Sequence, residues 1–156
     1  MSDIDDTLHT YFKKRLGDMR EEIGTREFDF KEKDIDKFCE LISDTNPIYI
    51  DDDLGKIIPP SYIMNMTNVV FQQFFIKIGL DFFDKIMGVI HTRSDVDIFK
   101  PMSMSNKYRV KFDYEEPKEV SGKMGNYFSV MFVITIMDEQ NAVYAVDNHE
   151  FFFKMR

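Results

Sequence analysis

Apolar residues in the first part of the chain recur at steps of three and four residues, the period of an α-helix with one buried face. The first series predicts an amphipathic helix that ends near Gly17 or Gly24 and packs on the outside of the domain. A second series predicts another helix, which ends before Pro47 because proline cannot continue the hydrogen-bond ladder. Between them, polar and aromatic residues alternate around Phe28 and Phe30, which predicts a short strand over residues 26–31. The apolar helical positions are Ile4, Leu8, Tyr11, Phe12, Leu16 and Met19, then Ile35, Phe38, Cys39 and Ile42.

A longer helix is predicted from Ser61 to about Met87, where apolar residues occur on all sides and Gly79 marks a break. Such a pattern is typical of a heavily buried helix. Pro59 and Pro60 precede Ser61, and proline in the first turn with a serine cap is typical of a helix start. The free N–H groups of that turn could hold an oxyanion.

After Gly88 the pattern changes to that of strands, predicted over residues 89–99, 108–114, 127–137 and 142–155. In the second stretch Tyr108, Val110 and Phe112 alternate with charged residues, as in an antiparallel strand with one solvated face. The third stretch is nearly all apolar and should be central. A strand, two helices and then four strands predict an α+β fold in which a sheet wraps around one helix.

Charge and length limit the class of protein. The chain has 156 residues, 20 basic and 28 acidic, for a formal charge of -8. No basic stripe is present to neutralise phosphates, so we expect no nucleic-acid partner. The amino terminus has no basic segment followed by an apolar core, and no apolar stretch reaches the ~20 residues of a membrane span. We therefore expect a cytoplasmic protein without a membrane span.

The sequence gives little support to a catalytic cysteine or to a metal site. Cys39 is the single cysteine and lies in a helical apolar pattern, which fits a buried thiol in a reducing compartment better than a catalytic one. His9, His91 and His149 do not have metal-ligand spacing with each other or with Cys39, so we expect no metal. His91 lies in a predicted strand, where it could serve as a distant base or, as is more common, have a structural role.

Residues 43–51 read S-D-T-N-P-I-Y-I-D, which resembles the G-D-x-N-P-x-H-x-D signature of the MaoC-like hydratases and dehydratases. Several other segments resemble that family in the same order. Residues 24–38 are similar to its opening strand and helix, residues 57–62 (I-I-P-P-S-Y) to its I-I-A-P-P-x-F element, and residues 88–102 to the strand that leads to its R-P-L element. The resemblance covers residues 22–156.

The resemblance implies a single hot-dog domain over residues 22–156, with an antiparallel sheet of about five strands around a long central helix. Residues 1–21 would form an added helix. It also implies a site made of Asp44, Asn46 and Tyr49, with Pro60, Ser61 and Tyr62 beside the substrate. No cofactor is implied, and the ligand would be an acyl-CoA or acyl-carrier thioester. Arg93, Lys56 and Lys100 could meet coenzyme A phosphates, although exposed cations are usually only solvated.

Tyr49 is the main departure from the signature. In complete members of the family, the aspartate and the histidine together activate one water for addition to a 2-enoyl thioester. Histidine exchanges protons near neutrality, whereas a phenol, with an ordinary pKa of about 10, is a poor acceptor. Asp44 and Tyr49 could still form a weak hydratase, and Asp44, Asn46 and Pro47 could equally be a helix stop and turn, with Asp51 as a cap.

Degenerate members of the family offer a further interpretation of Tyr49. The chain resembles the dehydratase halves and subunits, such as that of fungal fatty-acid synthase, that lack the histidine and pair with a complete hot-dog domain. This predicts an accessory subunit of an (R)-specific enoyl-thioester hydratase or 3-hydroxyacyl-thioester dehydratase that shapes the acyl tunnel. Its partner would be a second hot-dog subunit or a copy of itself, joined edge to edge through the sheets. A noncatalytic thioester- or lipid-binding homodimer is the alternative.

Overall fold

The computed structural model describes residues 6–51, 56–123 and 125–156. Its helices are α1 (Asp6–Ile23), α2 (Glu32–Leu41), α3 (Pro47–Ile50), α4 (Ile63–Lys77) and α5 (Leu80–Phe83), and a 3-10 turn spans Pro60–Tyr62. Its strands are β1 (Thr25–Phe28), β2 (Ile86–Ile98), β3 (Tyr108–Tyr114), β4 (Lys118–Gly122), β5 (Gly125–Asp138) and β6 (Val143–Met155). The pattern-based elements are thus confirmed within a few residues at their ends, except that the long helix predicted over residues 61–87 is two helices, α4 and α5, and residues 86 and 87 belong to β2.

The strands form one antiparallel sheet in the order β1-β3-β5-β6-β2, and β4 pairs with β5 off this path. The sheet therefore has six strands where about five were expected. β5 lies in the middle of the order, as its apolar sequence predicts, since both of its faces need cover. β2, with 13 residues, forms an outer edge of the sheet.

α4 packs its buried face on the sheet, through Ile63, Met66, Val70, Phe71 and Phe74. The aromatic rings of this face continue into the sheet: Phe74 lies 4.6 Å from Phe132, centroid to centroid. The helix is not buried on all sides, however, because Val69 is 42% and Ile76 74% exposed. Gly79, with φ of 88°, separates α4 from α5, as the sequence predicts.

α1 contributes to the same core. Phe12, Leu16 and Met19 are fully buried, and the ring of Phe12 stacks on Phe128 of β5 at 4.8 Å. Gly24 ends the helix with φ of 57° and donates its N–H to the carbonyl of Arg20, the left-handed cap that favours glycine. Of the two glycines proposed as the end, Gly24 is therefore the one used.

None of the helices in these described ranges is both long enough and apolar enough to cross a bilayer.

Candidate functional site

The signature segment forms two consecutive side-chain turns. Oδ1 of Asp44 accepts the backbone N–H of Asn46 at 3.0 Å, and Oδ1 of Asn46 accepts the N–H of Ile48 at 3.2 Å. Asn46 is thereby the N-cap of α3, whose first residue is Pro47, an arrangement that both residue types favour. Asp44 is half-buried and Asn46 exposed. The local hydrogen bonds thus place one carboxylate oxygen of Asp44 in the turn.

Tyr49 and Asp51 follow on the same short helix. Tyr49 is half-buried, packs against the hydrophobic core and donates its backbone N–H to the carbonyl of Asn46 at 3.0 Å. Asp51 closes α3 by donating its backbone N–H to the carbonyl of Pro47 at 2.8 Å. Asp51 is therefore at the carboxyl end of α3, which does not support a role as a helix N-cap.

The 3-10 turn before α4 differs from the expected helix start. Ser61 is exposed and does not cap α4, whose N-cap position is occupied by Tyr62 without a side-chain hydrogen bond. The reason is that Ser61 lies inside the 3-10 turn over Pro60–Tyr62, which comes directly before α4. In this turn the N–H of Tyr62 donates to the carbonyl of Pro59 at 2.8 Å. The prediction that Ser61 caps the helix is wrong.

Tyr62 packs edge-on against Phe38 of α2, with 5.1 Å between ring centroids. Burial, and then the negative charge of Asp34, raise the pKa of its phenol. Both effects keep the phenol protonated, so it can donate a hydrogen bond but is a poor base.

An apolar cleft of about 260 Å³ lies between the start of α4 and the end of β2. It is lined by Ile57, Ile58, Pro60, Ile63, Ile98, Phe99, Lys100, Pro101 and Met102. The cleft is fixed by the hydrogen bond from the N–H of Ile58 to the carbonyl of Met102 at 2.7 Å. Of the predicted ligand-binding residues, Pro60 and Lys100 meet here, and Ser61, Tyr62 and Arg93 are not among the lining residues.

The cleft and the signature segment are connected through the backbone. The N–H of Ile57, in the cleft wall, donates to the carbonyl of Ile48 in α3 at 3.0 Å. Asp44 and Tyr49 thus belong to a loop held beside the cleft, although neither lines it.

The three candidate cations have different surroundings. Lys56 is 11% exposed and lies 2.5 Å from Glu32 and 3.6 Å from Asp36, so its charge is engaged by α2. Arg93 pairs with Asp95 and is 62% exposed. Lys100 lines the cleft, and its ammonium group lies 5.3 Å from the ring centroid of Tyr144, which is not a lining residue. Lys100 is therefore the one of these three cations that lines the cleft.

Cys39 is a free, buried thiol on α2, as expected. Burial, together with the nearby carboxylates of Asp44 and Asp36, raises its pKa. A raised pKa disfavours the thiolate, which is the nucleophilic form.

A polar group that pattern reasoning had not identified lies on the inner face of β6. Asp147 is fully buried and His149 is 3% exposed, and Nδ1 of His149 lies 3.0 Å from Nε2 of His91 on β2. A signal was present in the sequence, because both residues share the two-residue phase of the buried residues Phe151, Phe153 and Met155.

No family model matches the chain, and no curated protein matches it in sequence. Solved structures do match it. The ChsH1-ChsH2 complex from Mycobacterium tuberculosis contains a chain that aligns with a TM-score of 0.67 and 14% identity, over 94% of this chain and 97% of that one. The HadBC (3R-hydroxyacyl-ACP dehydratase) complex of the same organism aligns with a TM-score of 0.64 and 11% identity, over 81% of this chain and 90% of that one. The (R)-hydratase of A. caviae involved in PHA biosynthesis aligns with a TM-score of 0.62 and 12% identity, over 85% of this chain and 92% of that one.

These similarities, at such low identity, define the fold. The chain has the α+β hot-dog fold, with an antiparallel sheet packed on a central helix, that hydratases and dehydratases of this group share.

Proposed function

We propose that this chain is an accessory subunit of an (R)-specific enoyl-thioester hydratase or 3-hydroxyacyl-thioester dehydratase of the MaoC-like family, and that it shapes the acyl-binding site of a catalytic hot-dog partner. The observation that carries the proposal is the signature segment itself. It keeps the turn of Asp44 and Asn46 but has Tyr49 where the family resemblance places a histidine.

The signature segment is poorly equipped for acid–base work on water. One oxygen of Asp44 accepts a backbone N–H, and a phenol occupies the position of the signature's histidine. Addition of water requires one group to take a proton near neutral pH and return it, for which an imidazole is suited and a phenol is not. A partner that has the histidine would supply this step.

The edge strand β2 favours a partner. Its outer edge carries no paired strand in the described ranges, and it exposes large apolar residues, with Met87 65% and Ile90 60% exposed. A long unpaired edge is a template for pairing with a further strand, and an edge that exposes apolar residues, as the first half of β2 does, is ordinarily covered. Two of the structural neighbours, from the ChsH1-ChsH2 and HadBC complexes, are themselves parts of assemblies.

The lining of the cleft favours the proposal of an acyl ligand. Its walls are apolar except for Lys100, which could meet an anionic group such as a phosphate at the mouth. An apolar slot with one charged group fits an acyl chain linked to a phosphorylated carrier.

Hydration of crotonyl-CoA and of a longer 2-enoyl-CoA, followed by loss of enoyl-thioester absorbance, tests the proposal. The chain would be assayed alone and mixed with a hot-dog protein of the same organism that carries the intact aspartate and histidine. Activity in the mixture that exceeds that of the partner alone would support an accessory role. Equal activity of the partner with and without this chain would contradict it.

A noncatalytic thioester- or lipid-binding homodimer is the second candidate, favoured by the same cleft and exposed edge. It predicts a stable dimer of this chain in sedimentation, binding of an acyl-CoA, and no hydration in any mixture. Hydration by the chain alone would instead indicate that Asp44 and Tyr49 form a working pair.

A further inference from the structure

A line of three polar side chains runs across β6 and β2 on the face of the sheet that packs on α4. Asp147 is 0% and His149 3% exposed, whereas His91, on the edge strand, is exposed to solvent. The line therefore leads from the interior of the protein to the open edge of the sheet.

A β-bulge brings His91 onto this face. The pairing of β2 with β6 shifts register between His91 and Arg93, so that His91 stands opposite Phe151 and Ser94 opposite His149. In a regular strand, residues 91 and 94 would point to opposite faces. The inserted residue, Thr92, donates its hydroxyl to the carbonyl of Glu150 at 3.1 Å, which fixes the bulge.

The rings are held in place by aromatic contacts. His149 lies edge-on to Phe71 of α4 with 4.3 Å between centroids, and His91 stacks on Phe151 at 4.6 Å. Nε2 of His149 lies 2.7 Å from Oδ1 of Asp147. That contact is bent, so that neither carboxylate oxygen of Asp147 nor Nε2 of His149 has a well-aligned hydrogen-bond partner.

The charged groups of neighbouring positions are directed elsewhere. Arg93 and Glu150 face each other on the opposite side of the sheet, where Arg93 pairs with Asp95 and Glu150 accepts the hydroxyl of Ser129. Among these charged groups, Asp147 is therefore the carboxylate that lies beside the histidine pair. Within the described ranges, no three carboxylate, imidazole or thiol groups are arranged as ligands of a metal ion.

The contacts of His149 indicate one tautomer. Because Nε2 lies 2.7 Å from a carboxylate oxygen of Asp147, a proton on Nε2 avoids two facing lone pairs, although the contact is too bent for an aligned hydrogen bond. In this tautomer Nδ1 of His149 has a lone pair. At 3.0 Å, that lone pair accepts the Nε2–H of His91, which leaves Nδ1 of His91 as a free acceptor.

We propose that His91, His149 and Asp147 form a proton relay that makes His91 a nucleophilic acyl acceptor, acting on acyl groups with a good leaving group such as thioesters and aryl esters. This inference goes beyond the function proposed above: it does not use Asp44, and it applies to the chain whose β2 edge is not covered by a partner.

The step balances as follows. Nδ1 of His91 attacks the carbonyl carbon and the bond to the leaving thiolate or phenolate breaks, while the Nε2 proton of His91 passes to Nδ1 of His149. The imidazolium formed at His149 is stabilised by the carboxylate of Asp147, which lies in a site largely screened from water. Water then cleaves the acyl-imidazole. Its oxygen and one hydrogen complete the carboxylic acid, its other proton neutralises the released thiolate or phenolate, and the proton held by His149 returns to Nε2 of His91.

Cleavage of p-nitrophenyl acetate by the full chain, followed by release of nitrophenolate, tests the acyl transfer. His91→Gln is expected to lower the protein-dependent rate by at least about 10²-fold, within the range of a positioned acid–base group. His149→Phe, which keeps a ring between Phe71 and Phe151, is expected to lower it on the order of tenfold, because the proton then has no acceptor.

His9→Gln is the matched control, since Nδ1 of His9 lies 3.2 Å from Glu119, an imidazole and carboxylate pair without the second histidine. It should leave the rate unchanged. Equal rates in His91→Gln and the wild type would overturn the proposal, as would a loss in His9→Gln of the same size.

Long-range ¹⁵N–¹H spectra of the histidine rings provide a second measurement, independent of turnover. Both His91 and His149 are expected in the Nε2–H form in the wild type, and His91 should lose this single tautomer in His149→Phe. A wild-type His91 protonated on Nδ1 would contradict the relay even if ester cleavage were observed. Because crotonyl-CoA hydration is not used here, failure of the relay and failure of the accessory role are distinguishable.

Discussion

Oδ1 of Asp44 accepts the backbone N–H of Asn46 at 3.0 Å, so the carboxylate that the family resemblance assigns to catalysis also shapes the turn that carries it. Asparagine at position 44 could accept the same hydrogen bond. The two roles of Asp44 can therefore be separated by a single substitution that keeps the turn and removes the charge.

Tyr49→His is expected to create or greatly increase hydration of a 2-enoyl-CoA, because it restores the histidine of the family signature in the segment that carries Asp44. Loss of enoyl-thioester absorbance measures it. The control is the double variant Asp44→Asn with Tyr49→His, which should be inactive. A folded Tyr49→His protein without any gain would mean that the surroundings of position 49 no longer admit the substrate.

Asn46→Ala is expected to lower the free energy of unfolding by about 1 kcal/mol, the usual effect of losing an N-cap side chain. The reason is that the N–H of Ile48 loses its acceptor on Asn46. Urea denaturation measures the change. Asn46→Asp keeps the acceptor oxygen and should retain most of the stability, and a loss as large as that of alanine would argue against capping.

Ile90→Lys is expected to weaken association through β2 without destabilising the single chain, because Ile90 is 60% exposed on the edge strand and a lysine there opposes strand pairing. Sedimentation equilibrium measures the association, with and without a hot-dog partner. Ile76→Lys makes the same change at a site on α4 that is 74% exposed and should have no effect. Equal effects of the two variants would place the interface elsewhere.

Asp113 should make the stability depend on pH. Burial acts to raise the pKa of its carboxyl, but the N–H of Tyr114 at 2.9 Å and the charges of Lys111 and Arg20 outweigh this and lower it. A lowered folded-state pKa contributes stability that is present above the unfolded value and is lost as the pH falls through the folded value. Urea midpoints should therefore show Asp113→Asn less stable than the wild type at about pH 6 and equally stable near about pH 2. A difference that persists at acid pH would assign the effect to packing.

Cys39 is expected to react slowly with iodoacetamide in the native protein and rapidly in urea, because burial and the carboxylates of Asp44 and Asp36 raise its pKa. Mass spectrometry of the alkylated protein measures the rates. Rapid native alkylation would show that α2 opens readily.

The periodic elements could be predicted from the sequence because one physical cause, burial of one face, determines their pattern. α1, α2 and β3 follow from their apolar spacing, and the alternation of β3 is confirmed by the burial of Tyr108, Val110 and Phe112. β4 was missed because its sequence, Lys118–Gly122, is short and mostly polar and is held by pairing with β5.

The site was predicted less completely, since it depends on contacts between distant residues. The turn of Asp44 and Asn46 is local and could be foreseen as one of two interpretations, whereas the ion pairs of Lys56 with α2 could not. Asp147 and His149 share the buried phase of β6, a signal that the sequence contains. His91 reaches them only through the bulge at Thr92, and nothing in the local pattern predicts a bulge.

The contact of Phe12 with Phe128 and Phe153 has a consequence for the order of folding. α1 leaves the ribosome before either strand, so its apolar face is only partly covered, for example by Phe82 of α5, until β5 and β6 are made. Contacts between residues so distant in the chain close slowly, because loop-closure entropy must be overcome first. During synthesis part of this helix therefore waits for its native cover and benefits from temporary shielding from other chains.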